Sequence, residues 1–154
     1  MQTPPSSAIT PRAVPVVLTA AQVAELRRTW DLVVPIADEV AQLFYERLFE
    51  IDPSLRVLFQ SDPVVRRHKL MDALTFVVTH VDRPDDLLPM LAALGRRHVD
   101  YGVRPEHYAV AGEALLWTLD EGVGVLRTAE ARDAWVVAYE LIVAGMRGGE
   151  PDGR

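Results

Sequence analysis

The feature that most constrains the fold is a set of apolar stripes at helical spacing, separated by corners that contain proline. Leu70, Leu74 and Val77 show this spacing, which places their side chains on one face of an α-helix. Pro35 and Pro63 stand where such stripes meet, and proline ends a helix or occupies its first turn. No segment reads as a strand bounded by hairpin turns, and no internal repeat is found. The pattern therefore predicts an all-α domain.

About seven helices are predicted, two of them short, and their lengths are unequal. Thr19 and Gln22 form a capping box at the start of the first predicted helix, and Thr128 is the predicted cap of the last helix. The predicted segments are Thr19 to about Val34, Ile36–Ile51, a short turn ending at Phe59, Pro63 to about Val81, a helix capped by Asp85 or Asp86, Pro105 to about Gly122, and Thr128 to about Gly148. Unequal helices with tight corners indicate crossed packing, not a four-helix bundle of equal members.

Composition excludes several classes of function. The 154 residues suit one domain, and the absence of cysteine excludes disulfides, thiol catalysis and cysteine-ligated metals. A net charge of -6 argues against nucleic acid or anionic membranes as partners. No apolar run is long enough to span a membrane, and the N-terminus lacks the order of a signal peptide, so we expect a cytoplasmic protein.

Both ends of the chain differ in composition from the centre. Residues 1–17 are rich in Pro and Ser and predict a disordered tail, with a docking segment for a partner as the alternative. The ordered domain is predicted over residues 18–147. Residues 148–154 begin with two glycines and predict a second disordered tail.

The stretch Leu87–Tyr108 carries the most chemical information. Its apolar stripe reaches Leu94, and His98 follows four residues later on the same helical face. Gly102 and Pro105 then break the helix so that a new one can begin. A histidine in the last turn of such a helix suits a haem-iron ligand. A core histidine with a hydrogen-bond partner explains the same residues, and the pattern leaves both readings open.

Five pieces of the chain, in order, resemble the globin family over Leu18 to about Met146. They are Phe44–Phe59 (FYERLFEIDPSLRVLF), Arg66–Met71 (RRHKLM), Leu94–Val103 (LGRRHVDYGV), His107–Leu116 (HYAVAGEALL) and Asp133–Ile142 (DAWVVAYELI). The chain is most similar to single-domain bacterial haemoglobins related to the globin domain of flavohaemoglobins, and neuroglobin-like sequences share much of the pattern. The resemblance implies a globin fold, in which six to eight helices form a helix-on-helix sandwich around haem b.

On the proximal side, the resemblance makes His98 the ligand of the haem iron. The second ring nitrogen then needs a fixed acceptor, and the backbone carbonyl of Leu94 lies one turn back. Phe59 matches the phenylalanine that packs on the haem plane, although a plain core aromatic is the alternative. Val103 is a further position that the resemblance places beside the haem.

On the distal side, Tyr45 matches a tyrosine that donates a hydrogen bond to dioxygen; a half-buried tyrosine reaching water is the alternative. Leu70 matches the apolar position one turn along the distal helix. Arg66 departs from the usual His or Gln, and we expect its charge to turn toward a haem propionate or solvent. Lys69 is another propionate candidate, and His68 is expected to point away from the haem.

Tyr108 and Tyr45 are the candidate catalytic residues. The resemblance places Tyr108 in a hydrogen-bonded set with His98 and a glutamate near the chain end. Glu150 lies at the corresponding distance from Tyr139, but it follows two glycines, which leaves its position in the set open.

Three functions are consistent with these residues. The first is reversible binding of dioxygen, and the second is conversion of nitric oxide and dioxygen to nitrate. The sequence ends at Arg154 without the reductase domain of a flavohaemoglobin, so an external reductase is expected for the second. The third is a sensor module, with or without haem. Dioxygen, nitric oxide or other diatomic gases are the expected ligands, and the protein is expected to be a monomer or a homodimer.

Overall fold

The computed structural model describes residues 17–148, which form six α-helices and contain no strand. The helices are α1 (Ala20–Val33), α2 (Ala37–Ile51), α3 (Pro63–His80), α4 (Pro84–Asp100), α5 (Pro105–Trp117) and α6 (Ala129–Arg147). Three short helical turns connect them at Val34–Ile36, Pro53–Leu58 and Thr118–Gly122. The predicted all-α class is confirmed, whereas the predicted tails fall almost entirely outside the described residues. None of the helices in residues 17–148 has the length and hydropathy to cross a bilayer.

Helix starts follow the capping signals of the sequence in most places. The capping box of Thr19 and Gln22 is present, with Thr19 Oγ1 accepting from the backbone of Gln22. The side chains of Asp52, Asp62 and Thr128 likewise accept hydrogen bonds from backbone N–H groups at the starts of their helices. These caps satisfy donors that a helix start leaves without partners.

Three predicted boundaries are wrong. Helix α4 begins at Pro84 after Arg83, so neither Asp85 nor Asp86 is its cap; both lie in the first turn, where the helix dipole favours negative charge. A 3₁₀ turn contains Pro35, and α2 begins one residue later than expected, because proline offers no N–H to a continuing helix. Helix α5 ends at Trp117, and its last predicted residues form a wider π turn.

Tryptophans lie where the helices cross. Trp135 on α6 is 1% exposed, and its indole N–H donates to Thr29 Oγ1 of α1 at 2.7 Å. Trp30 packs against Trp135 with ring centroids 5.8 Å apart and donates to Thr75 Oγ1 of α3 at 3.1 Å. These two residues join α1, α3 and α6 in one core.

Glycines allow α4 and α6 to approach each other closely. A Cβ atom on Gly95 would collide with the carbonyl oxygen of Met146, and one on Gly145 would lie 2.9 Å from Leu91 Cβ. Each glycine therefore faces the opposite helix with no space for a side chain. This crossing fixes the position of α4, and with it the position of His98 near the end of that helix.

Replacement of Gly95 by alanine should separate α4 from α6 and lower the free energy of unfolding by about 1–3 kcal/mol, as overpacking does. Urea denaturation measures this change. The control is Gly148→Ala, at the end of α6 with φ -62, which should change stability by less than about 1 kcal/mol. Equal stability of wild type and Gly95→Ala would contradict the close crossing.

Candidate functional site

His98 lies in the last turns of α4 and is half-buried. Its Nδ1 atom is 2.8 Å from the carbonyl oxygen of Leu94, the acceptor expected from the sequence. Because a carbonyl oxygen can only accept, Nδ1 carries the hydrogen, and a neutral ring then has its lone pair on Nε2. The ring is thus held in one tautomer, with Nε2 able to bind a metal.

Burial lowers the pKa of His98 below its usual range. Loss of hydration is the largest cause and the charge of Arg97 acts in the same direction, whereas the hydrogen bond to Leu94 opposes both. The neutral imidazole is therefore favoured near neutral pH. Neutral imidazole is the form that binds haem iron.

The corner between α4 and α5 folds back on His98. The N–H of Val103 donates to the carbonyl of His98 at 2.9 Å, and Gly102 adopts φ +97, which favours glycine. A Cβ on Gly102 would lie 3.4 Å from Leu58 Cδ2, so the turn before α3 reaches this corner. Half-buried Val103 and Leu58 therefore lie at the His98 end of α4.

Tyr45 on α2 lies in a cluster of aromatic rings and is 9% exposed. Its ring centroid is 5.1 Å from Phe44, 5.4 Å from Phe59 and 6.1 Å from Phe49. Burial raises the pKa of Tyr45 to about 12, although the charge of Arg66 acts in the opposite direction. The hydroxyl therefore remains protonated at neutral pH and can donate a hydrogen bond.

Arg66 turns toward the Tyr45 cluster, and its pairing with a haem propionate stays a prediction. Its Nη1 donates to the carbonyl oxygen of Phe59 at 2.8 Å. The guanidinium carbon lies 5.0 Å from the ring centroid of Tyr45 and 5.6 Å from that of Phe49. The carbonyl acceptor and the two aromatic faces replace the hydration that the guanidinium loses. This explains its inward position.

The neighbouring positions of α3 differ in exposure. Leu70, one turn after Arg66, is half-buried and packs against the core. His68 is exposed, as expected for a side chain directed away from the haem, and Lys69 is exposed as well. Of Leu70, His68 and Lys69, Leu70 is therefore the most buried.

Tyr108 is buried at the start of α5 and is held there by Tyr139 of α6. The Tyr139 hydroxyl donates to the backbone carbonyl of Tyr108 at 2.5 Å. Its ring fills the space beside Gly112, where a Cβ would lie 2.6 Å from Tyr139 Cε2. Burial raises the pKa of Tyr139 well above its usual range. Glu150 lies outside the described residues.

The predicted residues thus form two groups. Tyr45, Phe59 and Arg66 contact one another where α2 meets α3, while Leu94, His98 and Val103 are joined on α4 and its corner. Helix α3 packs chiefly on α1 and α2, and α4 packs chiefly on α6. The half-buried apolar side chains of the two groups are Phe59, Leu94 and Val103, and Leu70 of α3 is half-buried as well. Apolar walls and one neutral imidazole are the features that haem requires, so these residues fit that group.

Comparison with known proteins gives a consistent result. A family model described as Globin matches residues 42–146. Neuroglobin from Tetraodon nigroviridis is 33% identical over 138 residues, which cover 80% of this chain and 87% of that protein. Neuroglobin from Danio rerio is 33% identical over 121 residues, which cover 70% of this chain and 76% of that protein.

Flavohemoproteins match over a shorter part of their length. The flavohemoprotein of Bordetella parapertussis is 37% identical over 99 residues, which cover 62% of this chain and 25% of that protein. The chain therefore spans about a quarter of the length of that relative.

Arg66→Leu should lower the free energy of unfolding by about 1.5–3 kcal/mol, because the Phe59 carbonyl loses a hydrogen bond from a charged donor. Arg67→Leu is the matched control on the same turn. Arg67 pairs with half-exposed Asp38 at 2.8 Å, and its loss should cost less than about 1 kcal/mol. Urea denaturation of both variants tests this, and an equal or larger effect of Arg67→Leu would contradict the inward position of Arg66.

Proposed function

The chain belongs to the globin family, and on that premise we propose that it binds haem b through His98 and binds dioxygen reversibly beside Tyr45. One observation carries the proposal. The imidazole of His98 is held in a single neutral tautomer by its 2.8 Å contact with the Leu94 carbonyl. Globins typically bind haem and diatomic gases, and this geometry presents the nitrogen that such binding needs.

Haem b supplies the iron at which a diatomic gas binds. His98 holds that iron from the side of α4, and the Leu94 carbonyl keeps the imidazole oriented and raises its basicity. Phe59, Leu70 and Val103 provide apolar contact with the porphyrin and exclude water from it. Lys69 is exposed, and we propose that it pairs with a haem carboxylate at the surface.

Tyr45 is the residue that we propose controls the release of dioxygen. Its buried hydroxyl keeps its proton at neutral pH and would donate a hydrogen bond to dioxygen bound beside it, which would slow the release of the gas. Phe59 and Phe49 limit the movement of the phenol ring, so the hydroxyl has few alternative positions. We propose that Tyr108 contributes on the side of His98, and the Tyr139 hydroxyl fixes its backbone.

His98→Ala should lose haem or hold it weakly, because no other residue in the proposal binds the iron. Absorbance in the Soret region after reconstitution with haem measures the retained fraction. His68→Ala is the matched control, since His68 is an exposed histidine of α3, and it should retain haem as the wild type does. A wild-type protein without a Soret band after reconstitution would contradict the proposed function.

Tyr45→Phe should raise the dissociation rate of dioxygen by about tenfold or more, the change expected when a hydrogen bond of about 1.5 kcal/mol is lost. Stopped-flow replacement of dioxygen by carbon monoxide measures this rate. Tyr101→Phe is the control, because Tyr101 is 61% exposed. An unchanged rate in Tyr45→Phe would remove Tyr45 from its proposed role.

A second function uses the same residues. Nitric oxide, dioxygen and one electron combine to give nitrate, and the similarity to flavohemoproteins supports considering this reaction. It requires an external reductase to supply the electron. With such a reductase present, we expect nitric oxide to be consumed over many turnovers under air. A single burst equal to the protein concentration would instead leave reversible binding as the function.

A further inference from the structure

A cavity lies beside the Tyr45 cluster. It has a volume of about 260 Å³ and lies between α2, the Pro53–Leu58 turn and the start of α3. Its walls include Tyr45, Phe49 and the guanidinium-bearing residues Arg56, Arg66 and Arg67. A water molecule in the liquid occupies about 30 Å³, so the cavity has room for a small polyatomic solute.

Two of these three arginines lack a carboxylate partner. The guanidinium carbons of Arg56 and Arg66 lie 4.7 and 5.6 Å from the ring centroid of Phe49. Neither forms a salt bridge with any residue in the part of the chain that the structure describes, whereas Arg67 pairs with Asp38. Two positive charges beside one ring repel each other, and an anion between them would relieve that repulsion.

Arg66 also has a donor without an acceptor. Its Nη1 donates a hydrogen bond to the Phe59 carbonyl. Its Nε is buried and has no hydrogen-bond partner within residues 17–148. An enclosed charged donor without an acceptor is costly, so an acceptor that reached this N–H would stabilise it.

One acidic side chain also lines the cavity. The carboxylate of Glu46 accepts a hydrogen bond from the Gln42 amide at 3.2 Å and opposes the binding of anions. Three guanidiniums face this one carboxylate and the Asp38 that pairs with Arg67. The charge in and around the cavity is therefore positive in a protein whose net charge is -6.

We infer that this cavity binds a small planar oxyanion, nitrate in particular, between Arg66 and Arg56. A guanidinium presents parallel N–H groups that match two oxygens of a planar anion, and the ring of Phe49 contacts both arginines. Because Tyr45 lines the same cavity, nitrate formed beside its hydroxyl would have an adjacent site to occupy. This inference extends the proposed function, but binding of nitrate needs only the protein side chains.

The test follows the side-chain Nε–H signals of arginine by NMR in ¹⁵N-labelled protein. The purified protein is reduced and then kept under carbon monoxide, which blocks any ferrous haem iron, and sodium nitrate replaces sodium chloride at constant ionic strength. We expect one or two arginine signals to shift and saturate. Shifts that grow linearly without saturation, or no shifts, would overturn the inference.

Substitutions of single arginines test which of them bind nitrate. Arg66→Gln should abolish the saturable shift, and Arg56→Gln should weaken nitrate affinity by about tenfold, as expected for one lost charge-assisted hydrogen bond. Arg28→Gln is the control, because Arg28 pairs with Glu25 on the surface of α1. Circular dichroism shows whether Arg66→Gln is folded, and exposed Arg56 gives an independent result if it is not. Wild-type affinity in folded Arg66→Gln or in Arg56→Gln would place the anion elsewhere and overturn the inference.

A haem carboxylate has the same chemistry as nitrate and must be distinguished from it. The titration is therefore repeated on protein reconstituted with haem dimethyl ester, whose carboxylates are blocked. Equal nitrate affinity with both haems supports a site for free anions. Nitrate binding seen only with the ester would assign Arg66 to the haem carboxylate and overturn the inference. If the protein takes up no haem, the proposed function fails while the nitrate titration still gives its own answer.

Discussion

The close crossing of α4 and α6 holds the rest of the site in position. Gly95 and Gly145 leave no space for side chains between the two helices, so α4 has one position relative to α6. His98 lies one turn beyond Gly95, and its bond to Leu94 belongs to the same helix. The direction of the imidazole therefore depends on how two backbones pack, in addition to the residues that surround the ring.

The two sides of the site are built by different physical means. On α4, a backbone carbonyl and burial hold one imidazole neutral and in one tautomer. Between α2 and α3, aromatic rings hold Tyr45 while Arg66 adds a permanent charge beside them. The first arrangement suits a metal ligand, and the second suits control of a polar diatomic gas and of small anions near it.

Arg66 shows where reasoning from the sequence reached its limit. A charged residue at this position was expected to turn toward solvent or a propionate, since burial of a guanidinium is costly. The structure compensates that cost with the Phe59 carbonyl and with the faces of Tyr45 and Phe49. These partners come from two other segments of the chain, and their meeting with Arg66 depends on how α2, the turn and α3 pack. Tyr139 on α6 is a second example, because its hydrogen-bond partner is the Tyr108 carbonyl on α5, a separate segment of the sequence.

The sequence by itself determined the helices, most of their caps and the His98–Leu94 bond, because each depends on residues within about one turn of each other. It also carried the resemblance to globins that the family match confirms. Only the tertiary structure decided the inward position of Arg66, the contact of Tyr45 with Phe59 and the cavity that Arg56 and Arg66 share. The physical reason is that these contacts join separate helices, and their energies depend on distances that only packing sets.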